Sequence, residues 1–361
     1  MVEKNKPIFI SYKTNSLRAM GQTNFWKDTG IGNLIMTGLP GAFLDPGTKD
    51  LISRFGISNF IIFSKNTKEG PDTLKRLCHD IESACVTQGL YPLIAVDQEG
   101  GPVRRLMPPL FPDMGSATGV LSSSRPRDAM RELAWTTASM LKDVGINMNL
   151  SPVLDLCLEA EGHVLRGRCL GREAEQVAEL GTVYIEELQG NGIVATAKHF
   201  PGIGMAMVDP HLERAMVRGS DKKIWEGLIP FRQAIKAGVA AVMTSHVVFT
   251  AIDPSRPATF SRKIATKILR RDLGFKGLLL SDDLEMKGAT AHEAIGQAAV
   301  DACLAGHDLL LVCNNQENVI QCLESLRQAY ETGVLSKTTV EASCQRIRLA
   351  QKTVHDRETR R

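Results

Sequence analysis

Short apolar runs alternate with amphipathic stretches along most of the chain. The runs fall at residues 34–37, 60–63, 93–96, 146–150, 193–197, 240–243, 278–280 and 308–312. Most are near-continuous rather than alternating, which is the pattern of strands buried on both faces of a parallel sheet. The stretches between them carry the helical period. In 72–88, Leu74, Leu77, Ile81 and Cys85 share one face. In 173–189, Val177, Leu180, Tyr184 and Leu188 do the same, and Gly190 follows as a stop signal. Segment 262–273 repeats the pattern behind Ser261, a residue type suited to an N-cap. Strand then helix, repeated about eight times, predicts a (β/α)8 TIM-type barrel. Periodicity does not show closure, so a doubly wound open sheet is the runner-up. The barrel is expected over residues 33–354, with an N-terminal arm at 1–32 and a charged, frayed tail at 355–361. The glycines of GIGNLIMTG (30–38) precede a strand, whereas a dinucleotide-binding turn follows one.

Composition narrows the class. A chain of 361 residues with 43% hydrophobic content can bury a large core, and barrels of about 250 residues or more form single domains. The net charge of +3 is dispersed, and no basic stripe interleaved with aromatics marks a nucleic-acid surface. No stretch reaches the roughly 20 apolar residues of a membrane span, and the N-terminus does not read as a signal peptide. The eight cysteines form no CxxC pair, and they read as buried thiols of a cytoplasmic protein. A monomer is expected, without nucleic-acid or membrane partners.

Barrel enzymes place their chemistry at the C-terminal ends of the strands. The third run ends in Asp97 and QEGGPVRR, and the fourth leads into Ser151 and Asp155. The fifth ends in Lys198 and His199, and the sixth in Thr244, Ser245 and His246. The seventh ends in Ser281, Asp282 and Asp283, and the eighth in Asn314 and Asn315. One polar strand end is unremarkable; six in succession predict a mouth rich in hydrogen-bonding groups. Such a rim suits a small polyhydroxylated ligand, with Asp accepting from hydroxyls and Lys, Arg or His donating. Asp97 and Glu99 beside Gly100 and Gly101 argue against a phosphate. His199, His211 and His246 lack a metal-ligand spacing such as HxH or HExxH, so no metal is expected.

Five segments carry a family likeness: AVDQEGGPVRRL (95–106), KHFPGIG (198–204), DPH (209–211), PATFS (257–261) and LGFKGLLLSDDLEMKGA (273–289). Together they resemble glycoside hydrolase family 3, in particular its single-domain bacterial β-N-acetylglucosaminidases, over roughly residues 33–330. The resemblance implies a retaining mechanism through a covalent glycosyl–enzyme. It gives the nucleophile's place to Asp282, in preference to its neighbour Asp283. It gives the acid/base role to His211, oriented by Asp209 on the loop after the fifth strand. Sugar-hydroxyl contacts fall to Asp97, Arg105, Arg168, Lys198 and His199. The implied substrate is N-acetylglucosamine β-linked in cell-wall turnover fragments, handled in the cytosol without a cofactor.

The chain departs from the family pattern at the loop KHFPGIGMAMVDPH (198–211). Ile203 replaces a histidine, Met205 and Ala206 replace an Asp–Thr pair, and Pro210 replaces a serine. Pro102 stands where the family usually carries Arg. The alternatives are a catalytically impaired sugar-binding barrel, a glycosidase or phosphorylase of other specificity, and an aldolase-type barrel using Lys198 as a Schiff base. Met286 either lines the sugar pocket or packs beneath the last strand.

Overall fold

The computed structural model describes residues 25–157, 164–209, 214–218, 221–290 and 294–358. The barrel is entered through β1 (Ile35–Gly38), β2 (Asn59–Ile62), β3 (Leu93–Val96), β4 (Met148–Asn149) and β5 (Val194–Phe200). The chain then leaves it for β6 (Met207–Asp209) and β7 (Arg214–Val217). It returns as β8 (Ala241–Thr244), leaves for β9 (Val248–Phe249) and β10 (Asp253–Pro257), and finishes the barrel with β11 (Leu278–Leu280) and β12 (Leu310–Val312).

The eight barrel strands pair in parallel in the order β11-β8-β5-β4-β3-β2-β1-β12. The ring closes between β11 and the segment entering β12. Leu280 bridges Leu309, the Asp308 N–H donates to the Leu279 carbonyl at 2.9 Å, and the Ser281 N–H donates to that of Leu309 at 3.0 Å. The open-sheet alternative is thereby excluded. Buried Asp308 fastens this seam from below. Its carboxylate accepts from the Leu279 N–H, from Ser343 Oγ and Arg346 Nε of the C-terminal helix, and from Arg270.

Local chemistry explains the outer layer. The helix Pro46–Phe55 starts on Asp45, whose carboxylate accepts from the Gly47 and Thr48 N–H groups, and stops at Gly56, in the left-handed region at φ 72°. Pro71–Val86 begins with proline at its first turn and buries the predicted face of Leu74, Leu77, Ile81 and Cys85. Ala174–Gly190 buries Val177, Leu180, Tyr184 and Leu188. Lys263–Asp272 differs from expectation, since it is a π-helix rather than an α-helix. Its buried residues, Ile264, Ala265, Ile268 and Leu269, form the same one-sided pattern in either winding, so periodicity does not separate the two. The Ile264 N–H still donates to Ser261 Oγ at 3.3 Å.

A second sheet, in the order β10-β9-β7-β6, was not foreseen. Its strands are two to five residues long, and β10 reads DPSRP, a turn-like composition. It grows from the connections that follow β5 and β8, so it stands at the C-terminal end of the barrel. The opposite end is covered by the first and last helices of the described residues, Phe25–Thr29 and Lys337–Glu358. Of the expected arm, Phe25–Thr29 is helical and Ile31 is buried, while Trp26 packs edge-on against Phe55 at 5.2 Å. Gln351 of the helix Lys337–Glu358 donates to Ser58 Oγ and Asn59 Oδ1, both at 3.2 Å. No helix among the described residues is long and apolar enough to cross a membrane.

Candidate active site

The strand ends converge as the barrel requires, and they form two groups. The first is built on β3 and β5. Lys198 Nζ lies 2.8 Å from Asp97 Oδ1 and 2.6 Å from Glu99 Oε1. The Glu99 carboxylate also takes both Nε and Nη2 of Arg168 at 2.8 Å, a bidentate pair. Arg105 Nη2 approaches Asp97 Oδ2 at 3.4 Å, and its guanidinium lies 5.8 Å from the centre of the Phe63 ring. Gln98 shapes the loop that carries Arg105. Its Oε1 accepts from the Arg105 and Leu106 N–H groups, and its Nε2 donates to the Leu106 carbonyl.

His199 is fixed from both sides. Its Nδ1 lies 2.7 Å from Asp155 Oδ2, and its Nε2 lies 3.5 Å from Arg168 Nη2. Guanidinium only donates, so Nε2 accepts and the ring proton is assigned to Nδ1, facing Asp155. Fully buried Asp155 also accepts the His199 N–H at 3.2 Å and the Ile203 N–H at 2.7 Å. One carboxylate therefore ties the imidazole to the loop that follows β5. Ile203 is buried there, and Met205 and Ala206 pack against the core. The apolar filling of this loop is thus partly core.

Electrostatics keep Glu99, Lys198 and Arg168 ionised. Burial pushes the Glu99 carboxyl up, but Lys198 and Arg168 outweigh it and hold the group at about 2. Burial pushes Lys198 down, and Asp97 and Glu99 outweigh it, so its pKa rises. The same contest, won mainly by Glu99, raises Arg168.

The second group is built on β8, β11 and β12. Asp282 is half-buried, and its Oδ1 accepts from the Asp283 N–H at 2.8 Å. The Asp283 side chain is spoken for elsewhere. Its Oδ1 accepts from the Glu285 and Cys313 N–H groups at 3.1 and 3.3 Å, and its Oδ2 from Asn314 Nδ2 at 3.1 Å. Burial, joined by the Glu285 and Asp282 charges, pushes its pKa up to about 6 against those amide bonds. Buried His246 lies beneath this turn, with Nε2 2.9 Å from the Asp283 carbonyl oxygen. Met286 is 47% exposed, so it does not pack beneath β12.

The structure thus brings together Asp97, Arg105, Arg168, Lys198 and His199, and sets Asp282 on the same mouth. Asp209 is the last residue of β6, paired in register with Arg214 of β7. His211 and Pro210 lie outside the described residues. Two contributors were under-read in the sequence. Glu99 sits two residues from Asp97, but its partner Arg168 is 69 positions away. Asp155 was visible only as a polar strand end. Pro102 packs against Gly167, 3.6 Å from where a Cβ on that residue would stand, and so abuts the Arg168 segment.

One cysteine reading is corrected. Six cysteines are buried free thiols, but Cys157 and Cys169 form a disulfide, with Cα atoms 5.7 Å apart. Their separation of 12 residues fits no CxxC pattern, and they meet because the connection after β4 folds back on itself. The Cys157 N–H donates to the Gly171 carbonyl across the same fold. Among the described residues no cluster of His, Cys, Asp or Glu could hold a metal ion.

Residues 28–350 match the model of the glycosyl hydrolase family 3 N terminal domain. The chain is 34% identical over 303 residues to a β-hexosaminidase of Nitrosomonas eutropha, covering 81% of this chain and 84% of that one. It is also 33% identical over 300 residues to a β-hexosaminidase of Haemophilus influenzae, covering 81% and 83%. Among solved structures, a family 3 β-N-acetylglucosaminidase from Paenibacillus sp. str. FPU-7 superposes with a TM-score of 0.84 at 33% identity, over 91% of this chain. The match spans only 62% of that longer protein. A β-N-acetylhexosaminidase from Beutenbergia cavernae matches with a TM-score of 0.80 at 27% identity, covering 90% of this chain and 97% of that one. With the family model spanning most of the barrel, the chain belongs to glycoside hydrolase family 3.

Proposed function

We propose that the chain is a retaining β-N-acetylglucosaminidase that removes terminal β-linked N-acetylglucosamine. The observation that carries this reading is the division of labour between adjacent carboxylates. Asp282 is half-buried at the mouth, and its carboxylate receives a backbone N–H, as suits an aligned nucleophile. Asp283 is occupied by Cys313, Asn314 and Glu285. In the first step an Asp282 oxygen bonds to the anomeric carbon, the glycosidic bond breaks, and the leaving oxygen takes a proton from His211. Asp209 orients that imidazole. In the second step water, giving its proton back to His211, displaces Asp282.

Asp97, Arg105, Arg168 and His199 are the sugar-hydroxyl contacts in this reading. Lys198, with its side chain only 3% exposed, acts chiefly by holding Asp97. Cell-wall fragments remain the proposed substrate class, met by a monomer in the cytoplasm. The Cys157–Cys169 disulfide weighs against the last point, because such bonds persist mainly in oxidising compartments.

Proton NMR of the first sugar released tests the stereochemistry. The β anomer of N-acetylglucosamine is expected to appear first and to mutarotate later. Initial release of the α anomer would rule out the covalent route.

A further inference from the structure

Buried His246 lies in the connection between β8 and β9. Its contacts lie with the turn that carries Asp282. A carbonyl only accepts, so the imidazole Nε2, 2.9 Å from the Asp283 oxygen, carries the proton. Nδ1 lies 2.9 Å from Thr259 Oγ1, a hydroxyl that is itself held at 3.0 Å from the Ser245 carbonyl oxygen. Two further residues pack against His246. Phe260 stacks on it with centroids 6.4 Å apart and planes 24° apart. Gly288 packs so closely that a Cβ there would meet His246 Cβ at 2.9 Å.

The consequence runs through residue 283. Its carbonyl is gripped by His246, and its N–H grips Asp282 Oδ1. Its side chain is anchored on the far side by the Cys313 N–H and Asn314. Three anchors from two neighbouring strands therefore determine where the Asp282 carboxylate points. Of the three, His246 is the one that reaches across from β8.

We propose that His246 is a positioning residue for Asp282, aligning its carboxylate through the backbone of Asp283. The inference rests on reading Asp282 as the nucleophile. It assigns His246 neither proton transfer nor contact with the sugar. Thr259 belongs to the same device, because its hydroxyl, anchored on the Ser245 carbonyl, abuts Nδ1 and so holds the opposite edge of the ring toward Asp283.

A 5-fluoro glycosyl fluoride of N-acetylglucosamine isolates this step. An Asp282 oxygen bonds to the anomeric carbon, the carbon–fluorine bond breaks, and fluoride leaves without needing a proton. The labelling rate therefore reports nucleophile alignment and not the acid/base pair. Intact-protein mass gives the rate, and peptide mapping gives the site.

The native chain is expected to label on Asp282. His246→Ala, still cooperatively folded, is expected to label roughly 10- to 100-fold more slowly. His246→Gln keeps a donor and an acceptor and should recover most of the rate. Thr259→Val should fall between native and His246→Ala, and it carries the test if His246→Ala does not fold. Labelling of His246→Ala or Thr259→Val at the native rate would overturn the proposal. So would a His246→Gln chain as slow as His246→Ala. If the native chain acquires no label on Asp282, the nucleophile assignment fails first, and the inference fails with it.

Discussion

Lys198 Nζ and Glu99 Oε1 lie 2.6 Å apart with both side chains 3% exposed, and that pair anchors the half of the mouth built on β3 and β5. Two buried charges are tolerable only when each is matched. Here one ammonium meets two carboxylates, and Glu99 also meets Arg168. The group therefore stands or falls together.

Removing the Glu99 charge leaves Lys198 and Arg168 buried and under-compensated. Glu99→Gln is expected to destabilise the fold by about 3–5 kcal/mol, measured by urea unfolding. Its kcat/KM should also fall, because Arg168 loses its bidentate partner. Unchanged stability would show that the pair is not buried as described.

The same carboxylate sets an acid limit. Its folded pKa, about 2, is depressed below the ordinary 4.5. A depressed carboxyl stabilises the fold above the unfolded value, and the contribution is lost as pH falls from about 4.5 toward 2. Denaturant midpoints from pH 6 down to pH 3 should decline in the native chain and less steeply in Glu99→Gln. Parallel declines would assign the acid loss to other groups.

Asp308 makes a comparable prediction at the barrel's closing seam. Asp308→Ala leaves Arg270 and Arg346 without their carboxylate and frees the Leu279 N–H. A loss of about 3–5 kcal/mol is expected, read from denaturant unfolding. The fraction still folded should keep its KM, since this residue lies at the end of the barrel away from the mouth.

The Cys157–Cys169 bond ties down the segment bearing Arg168. Alkylation of the denatured chain should leave these two cysteines protected until a dithiol reductant is added. Reduction of the native enzyme should raise KM more than it lowers kcat, through looser placement of Arg168. Alkylation at Cys157 without reductant would contradict the bond.

Much of this was legible in advance, for definite reasons. The eight barrel strands announce themselves because both faces are buried, and the mouth follows from which residues end them. Asp97, Lys198 and His199 stood out as strand ends, Arg105 and Arg168 were named through the family resemblance, and the five do come together. What escaped depends on distance or on weak local signal. The Glu99–Arg168 pair joins residues 69 apart, which no spacing rule reaches. The strands of the second sheet are too short to show alternation. The disulfide depends on how one connection doubles back, and the π-helix shares its buried face with an α-helix.

The central claim is the role of Asp282, and nitrophenol release from the β-N-acetylglucosaminide tests it most directly, beside the β-glucoside. The native chain should cleave the acetylated substrate preferentially. Asp282→Asn should lose more than about 10³-fold in kcat, whereas Asp283→Asn, which keeps an acceptor toward Cys313 and Glu285, should stay within about tenfold. Turnover that survives in Asp282→Asn, or no turnover of either sugar by the native chain, would contradict the account.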